Sequence, residues 1–477
     1  MPSDTFRREL QQEAQRWLEE NLISENQFQV LAQEYQFQDL NTAARDRFVM
    51  ILLGLGSILV GIGAITFVAA NWQALSQTVK AGLLLIAMLI TDLLGFVLIN
   101  RRVVPNSGQR LGQALLLLGA LLLGANLALM GQIVHTTGTR YELCAAWALG
   151  VLLMAYGLRL TFLGMLALLL LGIGYWSSLG EMVWLQNSLL GVWTLQMMPL
   201  LVVALFLPLA YRCKSQTLFV LSAIATTSSL AVLILDIGPS LPPLIEAVIM
   251  VLPYACLWAY DDTLWLVIQK RLQGQSLAAI PSRDMDRPFQ PAARGFMMCA
   301  LSLFYWALSF RQPWESSPVG RLSLSTLQWQ RTWPVMLTLL VFSVWTLAAW
   351  FYLGMRPQRQ WRLDTSSTFL LLCLVITVGI LFTSFIAGPI TILAITTCNL
   401  LLTLMALGMM REGLGSGLRV PFWWGLVMLT LQILSRVLEY ETGLLVKSVV
   451  FVVCGIGVIC VGLWFERHVQ TLRIDTA

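Results

Sequence analysis

Runs of roughly 18–23 apolar residues follow one another from Phe48 nearly to the end of the chain, each long enough to cross a hydrocarbon core of about 30 Å. No other feature narrows the fold so far. Lipid offers no partner to a free backbone N–H or C=O, so an open chain crosses it only as helix, which satisfies both groups internally. The fold class is therefore all-α, a polytopic transmembrane helical bundle of about fourteen spans. Composition agrees. Of 477 residues, 57% are hydrophobic and 12% charged, and the mean hydropathy is +0.75. An average soluble domain has about 45–50% apolar and about 25% charged residues. Too little charge remains to cover a water-facing surface, so lipid covers it instead.

The spans fall near 48–70, 79–99, 111–131, 141–158, 160–179, 195–211, 216–235, 241–260, 294–310, 333–353, 368–386, 388–410, 420–436 and 444–464. Two boundaries decide the count. Only Leu158-Arg159-Leu160 splits 141–179, and only Gly388-Pro389 splits 368–410. With the N-terminus cytoplasmic and the spans alternating, about 23 of the 30 Lys and Arg fall in cytoplasmic segments. That is the bias the positive-inside rule demands, and it puts both termini on the cytoplasmic side. The outer loop 311–332, with Arg311, Arg321 and Arg331, runs against it.

Residues 1–47 differ from the rest and read as a cytoplasmic helical hairpin preceding a transmembrane domain over 48–477. Phe6, Leu10, Ala14, Trp17 and Leu18 share one helical face. Ser24 with Gln27 forms a capping box, Ile23 is placed to staple onto Phe28, and Phe28, Leu31, Ala32 and Tyr35 continue the stripe. Some 45 residues hold little core alone, so the stripe is expected to dock on the membrane domain or on a protein partner. The first apolar run begins too far in for a cleavable signal peptide.

Two loops are longer. Residues 261–293 open with Asp261-Asp262 and carry Leu264, Trp265, Val267, Ile268 and Leu272 beside Lys270 and Arg271, the pattern of a short interfacial helix. Loop 311–332, with Trp314, Trp329 and Trp333 at its edges, has rings suited to the headgroup level. Gly56–Gly61 resembles Gly119–Gly124, which would make a direct two-span repeat, although glycines so spaced also serve close helix packing.

Several chemistries lack their residues. There is no phosphate-cradling glycine loop, and Gly413-Leu-Gly415-Ser-Gly417 reads as a flexible turn. His135 and His468 are the whole histidine complement, so neither a His-based metal site nor a triad is expected, and no catalytic residue or cofactor is assigned. The eight cysteines sit mostly inside apolar runs without C-x-x-C spacing and read as small buried hydrophobes. The net charge of +5 comes without a basic run, so membrane lipids rather than nucleic acid are the expected surroundings.

What remains are polar residues at span ends. Asn71 and Trp72 close the first span, Gln132 and His135 the third, and Tyr141 and Glu142 open the fourth. Arg436, Glu439, Tyr440, Glu441 and Lys447 join the last two spans, while Asn126 and Glu246 lie deeper. Alternation puts all of them on the outer face. There they line a vestibule, or act separately as a Trp anchor, a surface histidine and an ordinary hairpin whose exposed ion pairs contribute under about 1 kcal/mol each. Asp92 lies about two-thirds through the second span, where an acid costs about 2.5–3.5 kcal/mol on the insertion scale. It reads as a protonatable coupling group, or as a carboxyl bonded to Thr91 or a neighbouring helix, or one reaching the cytoplasmic interface.

The strings FVAANW, GQIVH, YELCAAWALG and RVLEYETGLLVKS, with the Leu22-Ile23-Ser24-Glu25 turn, resemble a bacterial family of predicted membrane proteins, domain of unknown function 2157. The resemblance implies a multi-pass protein of a bacterial inner or internal membrane and brings no biochemical role. The leading expectation is a transporter-like or small-molecule-binding protein with an outer vestibule. A membrane assembly or scaffold factor docking partners through the hairpin is the first alternative. An intramembrane enzyme acting on lipid or envelope precursors, with Glu142, His135 or Glu439 as acid or base, is the second.

Overall fold

The computed structural model describes residues 4–20, 22–34, 76–100, 106–133, 140–180, 189–237, 241–262, 289–315, 329–354, 364–388, 390–440 and 443–475, with the single positions 52, 55, 56, 59 and 66. Over these the chain is all-helical. The helices are α1 (Asp4–Glu19), α2 (Glu25–Glu34), α3 (Gln77–Asn100), α4 (Asn106–Ile133), α5 (Arg140–Leu158), α6 (Thr161–Gly180), α7 (Leu189–Gln196), α8 (Met198–Cys213) and α9 (Gln216–Ile237). They continue as α10 (Pro243–Trp258), α11 (Gln290–Leu308), α12 (Gln312–Glu315), α13 (Trp329–Gly354), α14 (Thr365–Ala387), α15 (Thr391–Ser416), α16 (Arg419–Glu439) and α17 (Leu444–Asp475).

Among the described residues, ten helices are long and apolar enough to cross a membrane, and α8 and α10 are shorter apolar helices. Every span expected from residue 79 onward overlaps a helix, but 195–211 straddles the break between α7 and α8, and α8, α10 and α11 are not among the ten. The span expected at 48–70 and the interfacial helix expected at 264–272 lie largely or wholly outside the described residues.

The chain divides into two compact units, residues 1–139 and 140–477. In the first, Ala14 of α1 is buried among Leu10, Trp17, Phe28, Leu31 and Ala32, so α1 and α2 spend that stripe on each other. The capping box forms: the Ser24 N–H donates to Gln27 Oε1 (2.9 Å) and the Gln27 N–H to Ser24 Oγ (3.4 Å). Helices α3 and α4 meet along small residues. A Cβ on Gly95 would stand 2.9 Å from the Gly112 carbonyl oxygen, and one on Gly112 at 2.9 Å from that of Gly95, so only glycine lets the backbones approach so closely.

In the second unit both doubtful splits are real. Helix α5 ends at Leu158, Arg159 turns in the left-handed region (φ 54°) and α6 begins at Thr161. Helix α14 ends before Gly388 (φ 83°) and α15 starts at Thr391. Helix α8 closes with Lys214 left-handed and the Ser215 N–H reaching back to the Ala210 carbonyl (3.1 Å), a Schellman turn.

The core gathers Val251, Met297, Leu301, Tyr305, Leu374 and Met405 of α10, α11, α14 and α15. Helices α15 and α16 are clamped inside the apolar layer. Gln432 donates to the Asn399 carbonyl (2.9 Å) and side chain (3.1 Å), and accepts from Thr403 (3.2 Å). The Gly413–Gly417 string is not a flexible turn. Gly413 lies in the last turns of α15, where an added Cβ would meet the Phe422 backbone nitrogen at 2.7 Å, and Gly417 caps the helix at φ 67°. Trp314 also departs from the interfacial reading: it is buried, with its indole N–H on the Leu308 carbonyl (2.6 Å). Helix α17 holds 32 residues, about 48 Å at 1.5 Å per residue, and docks through Phe465, which stacks on Phe422 with centroids 3.7 Å apart.

Loop ends of this unit fall into two sets. Tyr211 of α8, Asp262 beyond α10 and Phe289 before α11 meet. Trp258 at the end of α10 donates to Ser367 at the start of α14 (3.1 Å). At their other ends, α11 and α16 meet through Ser309 and Arg436.

Candidate functional site

Asp92 lies on the α3 face that meets α4. Its carboxylate presses against the Cα of Gly119, where any Cβ would overlap it. The oxygen Oδ1 is buried and has no hydrogen-bond partner among the described residues. Thr91 does not serve it. That hydroxyl donates within its own helix, to the carbonyls of Ala87 (3.0 Å) and Met88 (2.9 Å). A polar oxygen without a partner inside an apolar seam is costly, so the α3–α4 packing holds a carboxyl where structure alone favours a methyl group. Asn126, two turns further along α4, is also buried. Its Nδ2 donates to the Leu122 carbonyl (3.0 Å) while its Oδ1 lacks a partner among the described residues.

The other expected residues fall as follows. Asn71, Trp72, His135 and Glu441 lie outside the described residues. Gln132 is exposed in the last turn of α4, in the first unit. Tyr141 and Glu142 belong to the second unit. Tyr141 is buried, bonded to Thr194 and packed beside Gly174, and Glu142 is exposed. Glu246 is buried in the first turn of α10. Tyr440 is exposed, and Lys447 is half-buried in the first turn of α17. Arg436 and Glu439 pair with each other and fasten the end of α11. Arg436 donates to the Ser309 carbonyl (2.6 Å) and hydroxyl (3.3 Å), its guanidinium lies 4.8 Å from the Phe310 ring centroid, and Glu439 accepts the Arg311 N–H (2.9 Å).

A second polar cluster escaped sequence reasoning. Asp262 Oδ2 accepts the backbone N–H groups of Phe289 (3.2 Å) and Gln290 (3.0 Å), and its Oδ1 accepts the Tyr211 hydroxyl. With its single proton committed there, Tyr211 can only accept from Tyr260, 2.6 Å away. Phe219 stacks on Phe289 (4.9 Å), and Tyr211 meets the same ring edge-on (4.7 Å), closing the cluster to water. Helix α11 has no capping side chain of its own at Phe289, so Asp262 supplies the acceptor and a negative charge at the positive end of the helix dipole. Residues 262 and 289 are thereby held together at the base of the segment between them. The signal in the sequence was an acidic pair after one span and a cap-less Phe-Gln-Pro start to another.

Burial pushes the Asp262 carboxyl up from the ordinary aspartate value of 3.8, and its hydrogen bonds only partly offset this. The folded state thus holds the proton more tightly than the unfolded chain. This group's contribution to stability is full below the unfolded value and is lost as pH rises through the folded one. Unfolding in mixed micelles should show wild-type stability falling as pH climbs past 3.8, and Asp262→Asn should flatten that slope. An unchanged slope would assign it to another group.

No curated protein and no solved structure matches the chain. A family model does match, over α2 to α5 with the end of α1 and the start of α6, a segment that includes Asp92, Gln132, Tyr141 and Glu142 and leaves out Asp262 and Arg436. Residues 15–164, about a third of the chain, match the family described as Predicted membrane protein (DUF2157).

Proposed function

We propose that the protein is a transporter-like membrane protein in which Asp92 takes up and releases a proton. The observation that carries this reading is the buried Asp92 oxygen in the α3–α4 seam, without a partner among the described residues. An ionisable residue kept inside a span at such cost is a functional candidate by default, most often in a proton or ion pathway. Within the first unit, Asn71, Trp72, Gln132 and His135 are the residues proposed to receive the transported molecule at the outer face. The orientation, with both termini cytoplasmic in a bacterial inner membrane, is supported by the Lys and Arg bias. It is also supported by Arg159, Arg212 and Lys214, which lie at the α5–α6 and α8–α9 turns brought together by the Cys213–Thr161 hydrogen bond.

In proteoliposomes under an imposed pH gradient, a solute accumulated by the wild-type protein should fail to accumulate with Asp92→Asn, while its downhill exchange persists. Accumulation unchanged in Asp92→Asn removes the carboxyl from the mechanism. The scaffold reading keeps one observation of its own: Leu22 and Val30 remain 68% and 65% exposed on the α1–α2 pair, apolar surface for a protein partner. Deleting residues 1–45 separates the two, because a scaffold would lose its co-purifying partner and a transporter would keep its uptake.

A further inference from the structure

A cavity of about 180 Å³ lies inside the second unit, walled by α8, α9, α10 and α13. Leu207, Phe219, Ala223, Leu230 and Phe342 form its buried lining. Two of the polar groups at its wall are committed elsewhere. Ser222 donates to the Phe219 carbonyl (2.7 Å), and the Tyr260 hydroxyl is bonded to Tyr211. A hydrocarbon-lined space of about 150 Å³ stays dry and accepts an apolar guest the size of benzene; this one is larger. Its rim decides which guest. Val341 at the edge is 41% exposed and continues the stripe Leu337, Leu340, Val344 and Leu347, the side of α13 that its neighbours leave open. In a helix that crosses the membrane, such a face meets hydrocarbon, so the mouth opens toward lipid tails and away from water.

We infer that this cavity binds the terminal segment of one acyl chain of a membrane lipid, admitted sideways past Val341. A second, larger depression of about 690 Å³ between α10, α13 and α14 serves as the contrast. Its walls include Leu347, Phe351 and Val375, which are themselves 71%, 54% and 58% exposed, so it is open lipid-facing surface with nothing to hold one chain above its neighbours. The walls of the smaller cavity are buried or half-buried, with Val341 the one exposed residue of its lining. The inference is independent of the proton reading, since the cavity and Asp92 belong to different units.

The test uses the full chain extracted in styrene–maleic acid copolymer discs, so that no detergent tail competes, followed by native mass spectrometry. The wild type should retain one lipid under activation that strips the rest. Ala223→Leu, which fills the cavity from its wall, should lower that retained fraction about tenfold, as expected when roughly two buried methylenes are excluded. Its melting temperature should be unchanged or higher. Val341→Trp, placed at the lipid-facing rim where folding tolerates bulk, should close the mouth and give the same loss. Delipidated protein reloaded with a bromoacyl phosphatidylcholine supplies a second readout: quenching of Trp345, identified by comparison with Trp345→Phe, should vanish in Ala223→Leu. Equal lipid retention in the wild type and both variants would overturn the proposal. So would retention that appears only after detergent is added.

Discussion

Replacing Asp92 with Leu should make the protein more stable, by about 1–3 kcal/mol, the cost of a buried polar group left without a partner. Leucine is close to aspartate in reach and suits the apolar α3–α4 seam, and Gly119 has no Cβ to oppose its branched end. Asp92→Asn should gain less, because its amide still needs partners that the seam lacks. Unfolding in mixed micelles of dodecyl maltoside and dodecyl sulfate reads both. A stabilised but transport-dead Asp92→Leu is the signature of a residue kept for function against stability. If Asp92→Leu instead loses stability, some group holds the carboxyl, and the proton reading loses its support.

The architecture was legible because its cause is local. Twenty apolar residues in a row demand a helix whatever lies beside them, so the spans from residue 79 onward fall where the apolar runs are. Helix ends were legible for the same reason. Ser24 and Gln27 are three residues apart and cap one turn, and Arg159 and Gly388 break the chain where the apolar period falters. The Gly413–Gly417 string misled because glycine means a turn in water, whereas between packed spans it means contact, here with the Phe422 backbone.

The polar sites were poorly legible. In a soluble helix an apolar stripe against a polar face tells which side packs inward; in a span both sides are apolar, and the rotation of each helix is lost. Asp92 could be singled out, but not that it faces Gly119. Asn399 and Gln432 stood inside apolar runs with nothing to say they would meet. Asp262 and Phe289 are 27 residues apart in sequence, and the cap joining them depends on a backbone N–H that no composition reveals.

Arg436 is the sharpest instance, and its removal should cost far more than the loss of a surface charge. A charged hairpin on the surface contributes little, but Arg436 and Glu439 are only 17% and 21% exposed and are tied to α11, 127 residues away. The guanidinium binds the carbonyl and hydroxyl of Ser309, which caps that helix, a cation at the negative end of its dipole, and covers Phe310. Arg436→Met keeps the stem and removes the charge. It leaves Glu439 without its counter-ion and Ser309 without its donor. Breaking a buried pair in this way costs about 3–5 kcal/mol; the residual exposure brings the expectation down to about 2–3 kcal/mol. Glu439→Gln added to Arg436→Met should recover about half of the loss, since the stranded carboxylate is then gone, although the cap on Ser309 stays missing. The same mixed-micelle unfolding measures both variants. A cost under about 0.5 kcal/mol for Arg436→Met, the worth of an exposed pair, would return these residues to the ordinary surface hairpin that their sequence alone suggested.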